Sequence, residues 1–117
     1  MEAITHTKIG FCALEYRPQA ENRVDSSGSI LILIVRTPHK AARVLIDPGW
    51  RSIVIPADRE YISGLLADFK ARATLDIEAL LNQASSLSVG PLITHSTGAE
   101  LSGHPKLLTL SQSFIEI

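Results

Sequence analysis

Ser29-Ile30-Leu31-Ile32-Leu33-Ile34-Val35-Arg36 carries six aliphatic side chains in a row, closed by a serine at one end and an arginine at the other. A run this short, without polar alternation, is the signature of a central β-strand covered on both faces. Left open it would be an aggregation hazard, so neighbouring strands must cover its edges. The rest of the fold follows from finding those neighbours.

Downstream, Thr37-Pro38-His39-Lys40 places a proline at the second position of a four-residue hairpin connection, and Ala41 to Ile46 returns as a strand antiparallel to the first. Asp47-Pro48-Gly49-Trp50 has the Pro-Gly centre of a type II turn, whose twist makes a corner rather than a tight hairpin. Ile53, Val54 and Ile55 then read as a short strand or extended bridge. Upstream, Ile9, Phe11 and Ala13 alternate with Cys12, Leu14 and Tyr16, so both sides of that segment are apolar and a buried strand is expected. Arg17 to Gly28 is polar and rich in turn formers, and reads as a long loop.

Past Asp58 the period changes. Tyr61, Ile62, Leu65, Leu66 and Phe69 fall at helical spacing, with Asp58 as the expected N-cap and Gly64 in the middle as a point of close packing. Thr74 is the expected cap of a second helix with apolar positions Ile77, Leu80, Leu81, Ala84 and Leu87. Val89 to Thr94 predicts a further strand, confined by Gly90-Pro91 to an edge or bulge. Thr97 to Pro105 is turn-rich. The tail from Lys106 matches a helix face started by Pro105, and Leu108 and Leu110 also match a strand; helix is preferred. The expected fold class is therefore α+β: an antiparallel sheet of about four to five strands, two consecutive helices packed on one side, and a C-terminal helix. The 117 residues make one domain, 1–117.

Composition narrows function mainly by exclusion. A 45% hydrophobic and 20% charged chain can fold on its own core. The formal net charge of -1, with basic residues scattered, gives no electrostatic footprint for nucleic acid. One Trp, two Tyr and three Phe supply no stacking platform for single strands. The longest apolar run is too short for a bilayer, no secretory signal is evident, and the single cysteine, Cys12, sits in an apolar stretch as a core residue. A cytoplasmic protein without membrane contact is expected.

Taken in order, Tyr16-Arg17-Pro18 at the end of the first strand, the apolar second strand, the Asp47-Pro48-Gly49-Trp50 corner, two helices and Ser88-Val89-Gly90-Pro91 resemble a bacterial domain family of unknown function often encoded beside HipA-like kinase domains. The likeness runs from about Ile9 to Leu101. That family typically opens its second strand with an acidic, aromatic, Asn-x-Gly segment, where this chain has Ser26-Ser27-Gly28-Ser29. It has no established activity, so the resemblance implies a fold and a bacterial source but no site.

Four histidines, His6, His39, His95 and His104, are candidates for chemistry at neutral pH. None forms an i, i+4 pair or a Cys-His cluster, so no metal is expected. His39 reads as a turn residue and His6 as part of a flexible terminus. Thr94-His95-Ser96-Thr97-Gly98 gathers hydroxyls and an imidazole at a strand end, where a nucleophile or an anion could be positioned, although the same residues build any turn. Glu15, Asp25 and Asp47 are candidate acid-base or metal carboxylates, with caps and turns as their plainer use. Trp50 either anchors an interface or closes one end of the core. No hydrolase elbow, phosphate loop or dinucleotide fingerprint occurs, and no cofactor is expected.

Two functions remain. The first is a protein-binding or self-associating module without catalytic activity, a homodimer or the partner of another protein. It would engage through a sheet edge, the loop bearing Glu21, Arg23 and Asp25, Trp50, or the apolar tail Phe114-Ile115-Glu116-Ile117, whose side chains need cover. The alternative is a small enzyme with a polar pocket formed by the 17–28 loop, Asp47 and His95, the last two being its weak catalytic candidates.

Overall fold

The computed structural model describes residues 9–17, 29–38, 41–87 and 91–117. His6, His39, the loop residues Glu21, Arg23 and Asp25, and Ser88-Val89-Gly90 lie outside the described residues.

The aliphatic run is β2 (Ser29–Arg36), flanked by β1 (Phe11–Tyr16) and β3 (Ala42–Ile46), both antiparallel to it. Leu31 to Ile34 are fully buried, as a strand covered on both faces requires. With β4 (Leu92–Gly98) and β5 (Ile115–Glu116) the sheet has five strands in the order β4-β1-β2-β3-β5, and every pairing is antiparallel. The fold is α+β.

At the corner the Asp47 carboxylate accepts the Gly49 N–H at 2.8 Å and the Asp47 carbonyl accepts that of Trp50 at 3.0 Å. Gly49, at φ -93° and ψ 18°, makes this a type I turn where type II was expected, because type I backbone leads directly into a helical turn. These bonds wind the chain into a helical turn, α1 (Trp50–Ile53), where a strand or bridge was expected; only Val54 and Ile55 are extended. The long helix α2 (Pro56–Leu75) starts two residues before Asp58, because Pro56 is preset for the first helical position. Asp58 sits in its first turn and accepts the Tyr16 hydroxyl at 2.7 Å, while that hydroxyl accepts the Ile55 N–H at 3.1 Å. One side chain of β1 thus fixes the entry of α2.

α2 runs through Thr74, and the break comes at Asp76, whose carboxylate caps α3 (Ile77–Ala84) by accepting the Ala79 N–H at 3.2 Å. Arg72 ties the helices by donating to Gln83. Ile62, Leu66, Phe69 and Ala73 form the buried stripe of α2, and Ile77, Leu80, Leu81 and Ala84 that of α3. Gly64 faces open space instead of a packing partner.

Alternation along the strands divides the core into two. Cys12, Leu14, Tyr16, Ile32, Ile34, Val44 and Ile46 face α1, α2 and α3. Phe11, Ala13, Leu33 and Leu45 face α4 (Pro105–Ser113), meeting Leu107 and the following Phe114. The helix reading of the tail therefore holds, with β5 added at its end. Phe114 is buried and Ile117 packs against the larger core, leaving Ile115 half-exposed. The tail is covered mainly by its own chain, which removes the premise for a second copy at that place.

Candidate functional site

The strand expected to end at Thr94 continues through His95, Ser96 and Thr97 to Gly98. The reason lies in β1, whose Phe11, Cys12 and Ala13 pair with Gly98, Thr97 and Ser96. As the end of the sheet, β4 is half open to solvent, and a polar composition suits it. Thr94 anchors it: its N–H reaches the Leu87 carbonyl at 2.8 Å, while its hydroxyl accepts the Leu87 N–H at 2.8 Å and donates to Ala84 at the end of α3.

Between the pairs Ala13 with Ser96 and Leu14 with Thr94, His95 is an extra residue, so it forms a β-bulge. A bulge bends its strand and re-aims the side chain it carries. A second irregularity lies across β1, where Leu31 is extra between Leu14 with Ile32 and Glu15 with Ile30. The His95 imidazole is exposed, and its Nδ1 is hydrogen-bonded to Ser96 Oγ at 3.0 Å.

Beside the bulge lies a groove of about 480 Å³, walled by His95 and Ser96 on one side and by residues 103–107 on the other. That volume is within the range of small-ligand and side-chain pockets. The second wall is held by His104, whose ring stands edge-on to Phe11 with centroids 4.9 Å apart. Gly98 makes this possible: a Cβ there would lie 2.6 Å from the Phe11 ring and 3.2 Å from His104 Nε2. Leu107 is the buried apolar floor, and Lys106 is exposed at the rim.

Asp47 and His95 are not brought together. β3 and β4 are separated by β1 and β2, so the two residues stand at least three strand spacings apart, about 14 Å. Asp47 serves the corner turn, and Trp50 is buried in the larger core with the Arg51 guanidinium 4.7 Å over its ring. Glu15, on the α4 side by alternation, is buried and paired with Arg17. Burial pushes the Cys12 thiol up to about 12, and the thiol donates to the Leu81 carbonyl at 3.5 Å. The Tyr16 hydroxyl is also raised, first by burial and then by its bond to Asp58.

The imidazole-hydroxyl pair of His95 and Ser96 is two parts of a nucleophile-and-base arrangement, but among the described residues no carboxylate lines the groove to orient the ring. Among the described residues no group of three or more His, Cys, Asp or Glu is placed to hold a metal ion, and no helix is long and apolar enough to cross a membrane. Of the groove, sequence reasoning singled out the His95 segment and named His104 as a histidine candidate without a place, and it missed the rest of the 103–107 wall, which follows the 3-10 turn at Leu101–Gly103. No family model, curated protein or solved structure matches the chain.

Proposed function

We propose that this chain is a protein-binding module without catalytic activity, which takes an extended segment of its partner along β4 and receives one of that segment's side chains in the adjoining groove. The observation that carries this reading is the junction of the 95–98 end of the edge strand β4, beyond the contact of Thr94 with Leu87, with a groove of about 480 Å³ at the His95 bulge. Strand addition at a sheet edge draws affinity from main-chain hydrogen bonds and specificity from pockets for alternate side chains, and both ingredients lie side by side here. A second copy pairing β4 against β4 is one form of the same binding and would make a two-fold dimer. The lone, buried Cys12 and the likeness of the Tyr16-Arg17-Pro18 and Asp47-Pro48-Gly49-Trp50 motifs support a bacterial, cytoplasmic setting.

Selection of displayed, unstructured twelve-residue peptides against the full chain tests this. Enriched peptides should shift the amide resonances of residues 95–98 and slow the exchange of those that point away from β1. Peptides that bind while leaving those amides unchanged, or a selection that enriches nothing, overturn the proposal. Sedimentation at tens of micromolar separates the dimeric form from a monomer that binds other chains.

A further inference from the structure

The walls of the groove are uneven in charge. Lys106, His95 and His104 supply three nitrogen bases, and among the described residues no aspartate or glutamate lines it. The four ion pairs among the described residues lie elsewhere, joining Glu15 to Arg17, Arg36 to Glu78, Arg43 to Glu116 and Asp68 to Arg72. Lys106 is exposed and enters none of them. With histidines counted neutral, as in the formal net charge of -1, Lys106 gives the described lining of the groove one positive charge. Its floor is apolar, formed by buried Leu107 beside Pro105. A group that satisfies both parts has a short aliphatic stem and a terminal anion.

A segment paired on β4 turns every second side chain toward the groove face, and the one level with Ser96 arrives at the groove. We infer that the partner segment is acidic at that position, an aspartate or glutamate whose carboxylate meets the Lys106 ammonium and whose stem lies on Leu107. This rests on the β4 reading above and adds the chemistry of the partner, which is a chain other than a second β4, since Leu92–Gly98 contains no acidic residue.

The test uses the peptides selected on the full chain, labelled for fluorescence anisotropy, with Lys106→Glu and, as a control on α2, Lys70→Glu. Selected peptides should share one acidic position. Changing that residue to its amide should weaken binding about fivefold, as for a solvent-exposed ion pair. Lys106→Glu should produce a similar loss and favour a lysine in the same place, while Lys70→Glu leaves affinity unchanged. Higher salt should reduce the difference. Peptides that shift the β4 amides but show no acidic position, or whose affinity ignores Lys106→Glu, overturn this inference and leave the strand-addition reading standing. Peptides that miss β4 altogether overturn both.

Discussion

The two faces of the sheet are built to different depths. On one, three helices bury a continuous cluster that reaches from Leu92 on β4 to Ile46 on β3 and includes Phe69, Leu80 and Trp50. On the other, among the described residues, Leu107 of α4 and the Phe114 that follows join a smaller buried cluster of Phe11, Ala13, Leu33 and Leu45, edged by half-buried Ile30, Val35, Leu101 and Leu110. Stability scales with apolar area removed from water, so the helix-covered face holds most of it. The groove lies at the margin of the smaller cluster, between β4 and the first turn of α4.

That contrast is open to direct attack. Phe69→Ala, on the deep face and fully buried, should cost about 3–5 kcal/mol in urea denaturation, whereas Phe114→Ala on the thin face should cost visibly less. Equal losses would erase the asymmetry. Alkaline stability sharpens it. The Cys12 thiol, on the deep face, moves from an ordinary value of 9.0 to about 12, so the unfolded chain releases its proton first. The contribution is complete below pH 9 and is lost as pH rises from 9 toward 12, with a slope of at most about 1.4 kcal/mol per pH unit. Tyr16, raised in the same direction, adds to the fall. Cys12→Ala should flatten the slope of the denaturation midpoint between pH 9 and 11.

Smaller effects probe single joints. Tyr16→Phe removes the hydroxyl shared by Asp58 and the Ile55 N–H, and should lower stability by about 1–2 kcal/mol with the fold retained by circular dichroism. At Gly64 the sign reverses. Its Cβ position is empty, so Gly64→Ala should raise the thermal midpoint, by about 0.5–1 kcal/mol of stability. A loss there would mean that α2 needs its glycine after all.

Much of this architecture was legible in the sequence wherever burial imposes a period. The Ile30 to Val35 run, the helical spacing around Phe69 and the Asp47-Pro48-Gly49 corner each follow from local chemistry, and the structure keeps them. Periodicity fails at the margins. Thr94 to Gly98 is a strand because β1 offers it hydrogen bonds, yet an edge half open to water needs no apolar alternation, and its composition equals that of a turn. Thr74 and Asp76 are both good caps two residues apart, and the extended φ of -155° at Asp76 decides between them. The groove was half visible: His95 stood out as an imidazole among hydroxyls, whereas Lys106 acquires its meaning only when the 3-10 turn returns it to β4.

The short strand β5 has a consequence for growth. It pairs with Leu45 and Ile46, and the Ile117 N–H reaches the Val44 carbonyl at 3.1 Å, so the far end of the sheet is capped along most of β3. β4 has no such cap. An object with one adhesive end can join a single like object and then stops, whereas one with two adhesive ends makes a chain of unlimited length. The few residues that follow α4 therefore act as a chain terminator in the polymer sense. Removing 115–117 should convert any β4 pairing from a closed pair into a propagating array, visible as turbidity or thioflavin binding that grows with protein concentration.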